Sequence, residues 1–141
     1  MTAVQLGKES NKPSVPEHLL LLSAGIGITP NFAMVRGVGS FALQDQTNIT
    51  MIHVERHEQD LLFQDELVRR AQSYPNFSYV NHISGKQGRL TKDKLQGFLE
   101  SNVELQQAYV CGPTPFMADM TEHLVALGVP AANIHTESFD F

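Results

Sequence analysis

The 141-residue sequence predicts an α/β fold, a doubly wound five-stranded parallel sheet with helices on both faces. Three observations lead there. The run Leu19-Leu20-Leu21-Leu22 is apolar without alternation, which suits a strand covered on both sides. It passes through Ser23-Ala24 into Gly25-Ile26-Gly27-Ile28-Thr29-Pro30, a glycine turn that leads into a helical pattern. Strand and helix signals then alternate with little slack to the end of the chain, in the order βαβαβαβαβ. That alternation requires right-handed crossovers between parallel strands.

The elements follow in order. Residues 1–16 are polar, with Pro13 and Pro16, and read as a linker or the edge of another domain; residues 17–141 form the fold. The first strand spans about Leu19 to Ser23. The first helix is expected from Asn31 to about Ala42, with Met34, Val38, Phe41 and Ala42 on one stripe. Asn48 to Val54 is rich in β-formers and makes the second strand. A second helix is expected from about Asp60 to Ser73, because Phe63, Leu67 and Ala71 recur at helical spacing.

Phe77 to Ile83 supplies the third strand. Thr91 is a good N-cap for a third helix, with Leu90 and Leu95 spaced as a hydrophobic staple. Gln107 to Val110 is the core of the fourth strand. The fourth helix starts near Thr114-Pro115 and carries Met117, Met120, Leu124 and Leu127 on one face. Gly128 stands where a C′ residue belongs, with Pro130 just beyond. Ile134 to Phe139 is the last strand.

Composition narrows the function classes. Hydrophobic content of 42% and charged content of 18% are those of an ordinary globular domain. A net charge of -5, without a Lys/Arg run, argues against nucleic-acid binding. The longest apolar stretch, residues 19–28, is too short for a membrane span, and residues 1–16 hold no secretory apolar region. The single cysteine, Cys111, fits a reducing compartment, so cytoplasm is the expected location.

Ligands of such sheets bind beyond the carboxyl ends of the strands, near the switch in strand order. Gly25 and Gly27 remove β-carbons where backbone would meet a ligand, and the following helix start favours phosphate. A Gly-x-Gly by itself also fits a tight turn that binds nothing. Two further features shift the balance. Tyr109-Val110-Cys111-Gly112-Pro113 repeats the strand-to-glycine-to-helix design, and Glu137-Ser138-Phe139 closes the last strand with a carboxylate and an aromatic ring. His53 and His57 fall on a strand end and a loop, and the other histidines do not cluster, so no metal site is expected. Glu55 and Arg56 end the second strand, where a ribose carboxylate or a 2′-phosphate partner could sit; a single arginine there favours NAD over NADP.

On these residues the chain resembles the pyridine-nucleotide-binding domain of the ferredoxin-NADP reductase superfamily. The resemblance extends from Leu19 to Phe139 and includes Gly88-Arg89-Leu90, similar to the family's Gly-Arg-Leu segment before the third helix. It implies that Gly25, Gly27, Thr29 and Pro30 hold the cofactor pyrophosphate and face a flavin. It also implies that Cys111, Gly112 and Pro113 line the nicotinamide, with Glu137 and Phe139 near the reacting rings. Cys111 would then act by positioning, and Glu137 would orient the nicotinamide or relay a proton.

The family's flavin-binding barrel carries an Arg-x-Tyr-Ser/Thr signature, which this sequence lacks. FAD is therefore expected from a missing domain or a partner chain, and the isolated chain is expected to be inactive. The expected function is that of an NAD(P)H-binding module, passing hydride to FAD and then single electrons to a two-iron two-sulfur ferredoxin domain or a haem protein. The alternative expectation is a non-catalytic nucleotide sensor lacking flavin.

Overall fold

The computed structural model describes residues 18–36 and 47–138. The leader at residues 1–16, the helical positions Val38, Phe41 and Ala42, and Phe139 lie outside them. Five strands form one sheet: β1 (His18–Ala24), β2 (Asn48–Glu55), β3 (Phe77–Ile83), β4 (Gln106–Gly112) and β5 (Ile134–Ser138). The strand order is β3-β2-β1-β4-β5 and every pairing is parallel. The chain therefore builds outward from β1 through β2 to β3, then returns to the other side of β1. The switch in direction lies between β1 and β4.

Parallel strands covered on both sides bury successive side chains, and β1 does so from Leu20 to Ser23. Leu20 and Leu22 face one core with Ile52, Val110, Leu95, Met120 and Leu124. Leu21 faces the other with Met51, Ile28, Phe32, Val35 and Leu67. Full burial of each leucine stabilises the fold by about 2 kcal/mol. Helices α1 (Ile28–Arg36) and α2 (Gln64–Ser73) cover the second face. Helices α4 (Lys92–Gln96) and α5 (Thr114–Ala126) cover the first, and a single turn α3 (Ser84–Gln87) precedes α4.

Strand positions match the sequence expectations to within two residues, whereas two helices start elsewhere. Helix α1 begins at Ile28, three residues before the expected Asn31. Gly25–Gly27 forms a 3-10 turn, and the Ile28 N–H donates to the Gly25 and Ile26 carbonyls. Pro30 thus sits within the first turn, where its missing N–H leaves no helical bond unmade. Helix α2 begins at Gln64 instead of Asp60, after a 3-10 turn at Glu58–Asp60.

Phe63 explains the later start of α2, because it has φ 61° and cannot sit inside a helix. It caps α2 instead, its carbonyl accepting from the Leu67 N–H at 3.0 Å. Its ring stacks on Phe32 with centroids 4.1 Å apart, and the Arg36 guanidinium lies over the far ring at 5.2 Å. Tertiary stacking overrode a helical spacing that was fortuitous.

The expected third helix starts where predicted, and the separate turn α3 precedes it, ending where Gly88 takes φ 80°. Thr91 caps α4 as expected, accepting from the Lys94 N–H at 3.2 Å. Gly128 ends α5 with φ 105°, and the Val129 N–H returns to the Leu124 carbonyl at 3.0 Å, which closes a Schellman turn.

Candidate functional site

The turns after β1 and β4 meet at the carboxyl edge of the sheet. A β-carbon on Gly27 would lie 2.6 Å from the Cys111 carbonyl carbon and 2.7 Å from the Gly112 nitrogen. Only glycine allows the two turns to touch backbone to backbone. A β-carbon on Gly112 would meet the Phe116 ring at 2.9 Å and the Ala24 oxygen at 3.3 Å. Gly25 is the contrasting case: it holds φ 58°, and nothing lies within 4 Å of its would-be β-carbon. That leaves an open cradle above the β1 turn.

Helices α1 and α5 both start at this edge, with no acidic residue in either first turn. Their dipoles leave a positive field uncompensated by side chains of those turns. Thr29 and Pro113 are exposed beside the cradle and Pro30 is half-buried. A glycine turn with free space and two helix starts fits a pyrophosphate.

Cys111 and Glu137 are register partners on β4 and β5. Glu137 is exposed, but Cys111 is 4% exposed and directs its Sγ–H toward the Asn31 Oδ1 at 3.5 Å, beneath the turn. Burial pushes the Cys111 thiol up to about 11, and the Glu137 charge adds to that. The sulfur is therefore a neutral thiol at physiological pH, unsuited to nucleophilic chemistry. Arg56 is exposed just beyond β2, two strands across the sheet from Cys111 and three residues past the Cys111 register position. Its carbonyl accepts from the Gly85 N–H at 2.9 Å, which ties the β2 and β3 ends together.

Strand register reveals a feature that sequence reasoning missed. Asn81, His53, Ser23, Cys111 and Glu137 are successive register partners across all five strands, so they form one polar rank on one face. His53 is wholly buried, accepts from or donates to Ser23 Oγ through Nδ1 at 2.8 Å, and reaches Glu55 Oε2 through Nε2 at 3.1 Å. Burial lowers its pKa to about 4, so the ring is neutral. Asn31, also wholly buried, joins the rank through Cys111, and its Nδ2 has no partner. The available signal was a serine and a histidine inside otherwise apolar strands. Among the described residues no three His, Cys, Asp or Glu side chains gather as a metal-ligand set, and no helix is long and apolar enough to cross a membrane.

Comparisons with known proteins agree with this geometry. Residues 21–122 match the family model described as the oxidoreductase NAD-binding domain. The chain is 34% identical over 123 residues to flavohemoprotein A of Dictyostelium discoideum, covering 86% of this chain and 30% of that protein. It is 36% identical over 131 residues to the ferredoxin reductase component of 3-ketosteroid-9-alpha-monooxygenase from Mycolicibacterium smegmatis, covering 89% and 36%. A flavohemoglobin structure from Malassezia yamatoensis, with bound FAD and heme, is similar at a TM-score of 0.76 and 25% identity, covering 90% of this chain and 33% of that one. The chain thus spans about a third of the length of these relatives. A five-stranded parallel sheet with two abutting glycine turns, and a family match over most of its length, place this chain in the oxidoreductase NAD-binding domain family, within the ferredoxin-NADP reductase-like superfamily.

Proposed function

We propose that this chain is the NAD(P)H-binding module of a flavin-dependent electron-transfer reductase, in which hydride passes from NAD(P)H to an FAD carried by another domain or chain. The observation that carries the reading is the backbone contact between the Gly27 and Cys111–Gly112 turns, beside the open cradle at Gly25. Residues 17–141 constitute the nucleotide domain, and residues 1–16 lead to the flavin-binding part. Gly25, Gly27, Thr29 and Pro30 hold the pyrophosphate; Gly112, Pro113 and Cys111 support the nicotinamide; Arg56 stands at the adenosine side. Glu137, next to Cys111 in the ladder, orients the nicotinamide, and Phe139 shields the rings. Bound NAD(P)H supplies the hydride. The residues of this chain bind it, keep its ring in place and exclude water, a positioning task in which small displacements matter.

The names of the relatives, a flavohemoprotein and a ferredoxin reductase component, support a haem or a two-iron two-sulfur ferredoxin as the next electron carrier. Cytoplasm is the location consistent with one buried, reduced cysteine. Calorimetric titration of the chain with NADH and NADPH tests the reading, and binding at up to millimolar ligand is expected. The absence of heat with both dinucleotides would refute it. In the flavin-containing parent, Cys111→Ser should slow flavin reduction by NADH and leave nucleotide affinity nearly unchanged.

A further inference from the structure

Strand β5 ends the sheet on the β4 side, and among the described residues nothing pairs with its outer edge. A row of unpaired backbone N–H and C=O groups is a template for another strand, and proteins commonly guard it with lysine or proline. The strand Ile134-His135-Thr136-Glu137-Ser138 carries neither. Beside this edge, α5 and β5 border an open groove of about 510 Å³, lined by Thr114, Met117, Ala118 and Thr121 of the helix and by Ile134 and Thr136 of the strand. Its one charged lining residue is Glu122. Ala118, Thr121 and Val125 follow one another at helical spacing along α5, and Val125 is 49% exposed. A stripe of small and apolar side chains thus runs beside an open strand edge.

The strand is also complementary to itself. In an antiparallel pair of two β5 strands centred on Thr136, His135 of each copy stands opposite Glu137 of the other. Both side chains are exposed, and they share one face because they are two residues apart. The His135 ring is stacked on Tyr109 with centroids 4.6 Å apart, which holds it at the edge. Its Nε2 lies 3.4 Å from Gln107 Oε1, and the Gln107 amide can donate as well as accept, so the ring has an N–H to offer a carboxylate. Helix placement agrees. With strands about 4.8 Å apart, a twofold axis would pass about 2.4 Å outside β5. Helix α5 packs on both β4 and β5. Two copies of it would therefore lie about 10 Å apart, the distance at which helices pack.

We propose that this edge joins two copies of the chain: β5 pairs antiparallel with β5 of a second copy about Thr136, and the two α5 stripes close the groove against each other. The two five-stranded sheets become one of ten strands. The interface is isologous, since the same patch serves both copies. The mutual match of His135 and Glu137 favours a second copy over an unrelated strand, which would meet both side chains only by chance. Each Glu137 keeps a second carboxylate oxygen for the nicotinamide role given above.

Sedimentation equilibrium of the 141-residue chain tests this, independently of dinucleotide binding. A dimer is expected at about 100 μM that dissociates on dilution, as suits a small interface. His135→Glu sets Glu opposite Glu at both ends of the strand pair, and Glu137→His sets His opposite His. Each should raise the dissociation constant at least about tenfold. Mixing the two variants restores both complementary pairs, so their equimolar mixture should dimerise as wild type does. Val125→Glu, on the exposed stripe, should weaken the dimer while the circular dichroism of the fold stays unchanged. A wild-type chain that remains monomeric at about 100 μM would overturn the proposal and leave the edge to the flavin-binding part of a longer protein. A dimer indifferent to these variants, or a mixture no tighter than either variant alone, would place the contact elsewhere and equally overturn it.

Discussion

Gly27→Ala should damage this domain out of proportion to the methyl group it adds. The new β-carbon would meet the Cys111 carbonyl group and the Gly112 nitrogen, with the carbon at 2.6 Å and the nitrogen at 2.7 Å. These atoms belong to the end of β4, an inner strand paired on both sides, so no side chain can rotate away. Ordinary contact distance requires the β1 turn and the β4 end to part by about 1 Å, and overpacking of this kind costs roughly 1–3 kcal/mol. The rigid neighbours put the expected loss at the upper end, about 3 kcal/mol. Gly25→Ala is the internal control. It has φ 58° but open space around the added carbon, so it should lose only about 1 kcal/mol of backbone preference. Urea denaturation of the three proteins, with a slope near 2 kcal/mol/M, should shift the midpoint by about 1.5 M for Gly27→Ala and about 0.5 M for Gly25→Ala. Equal shifts, or a larger one for Gly25→Ala, would refute the claim that the two turns touch through their backbones.

Acid should destabilise the fold through His53, whose folded pKa of about 4 lies below its ordinary 6.5. A neutral buried histidine contributes stability that is present above about pH 6.5 and is lost as pH falls toward 4, a loss of about 3 kcal/mol by linkage. Glu55, whose carboxyl is raised by burial and by Asp60, acts with the opposite sign near its own titration. A wild-type stability profile between pH 7 and 4 as shallow as that of His53→Gln would count against this. Cys111, pushed up to about 11 and 4% exposed, should react with iodoacetamide at pH 8 about a hundredfold more slowly than free cysteine; fast labelling of the folded chain would contradict its burial. Thr91→Ala should cost about 0.5–1 kcal/mol in thermal unfolding by removing the cap on Lys94, and an unchanged melting point would show that the cap is not formed.

Much of the fold was legible because its strands carry their own signals. The four leucines of β1, the β-formers of β2 and the glycine turns after β1 and β4 each state a local requirement that the tertiary structure keeps. The Gly-x-Gly turn and the Cys111–Gly112 turn could be read as parts of one site, since the order of strands forces their ends together. Helix boundaries were less legible. Phe63 has the spacing of an α2 core residue, yet its ring is used against Phe32, a partner 31 residues earlier that no local pattern announces. The polar rank was legible only as isolated polar residues within apolar strands. Ser23, His53 and Asn81 come from three separate strands, and only pairwise register shows that they are neighbours. Cys111 was legible as a site residue by its motif, but its buried sulfur, turned to Asn31, depends on a helix start that the sequence placed three residues too late.

The central place of β1 has a consequence for how the domain is made. Parallel strands cannot be joined by a hairpin, so each pairing waits for a crossover. One edge of β1 is satisfied by β2, about 30 residues downstream, but the other is satisfied by β4, whose Gln106 lies 88 residues from His18. At synthesis rates of roughly 5–20 residues per second, the apolar strand Leu19–Leu22 waits about 4 to 18 s with one edge open. A leucine-rich, uncharged strand with a free edge is the kind of segment that pairs with another chain. The strand best protected in the finished sheet is thus the one most open to misassembly while the chain is being completed.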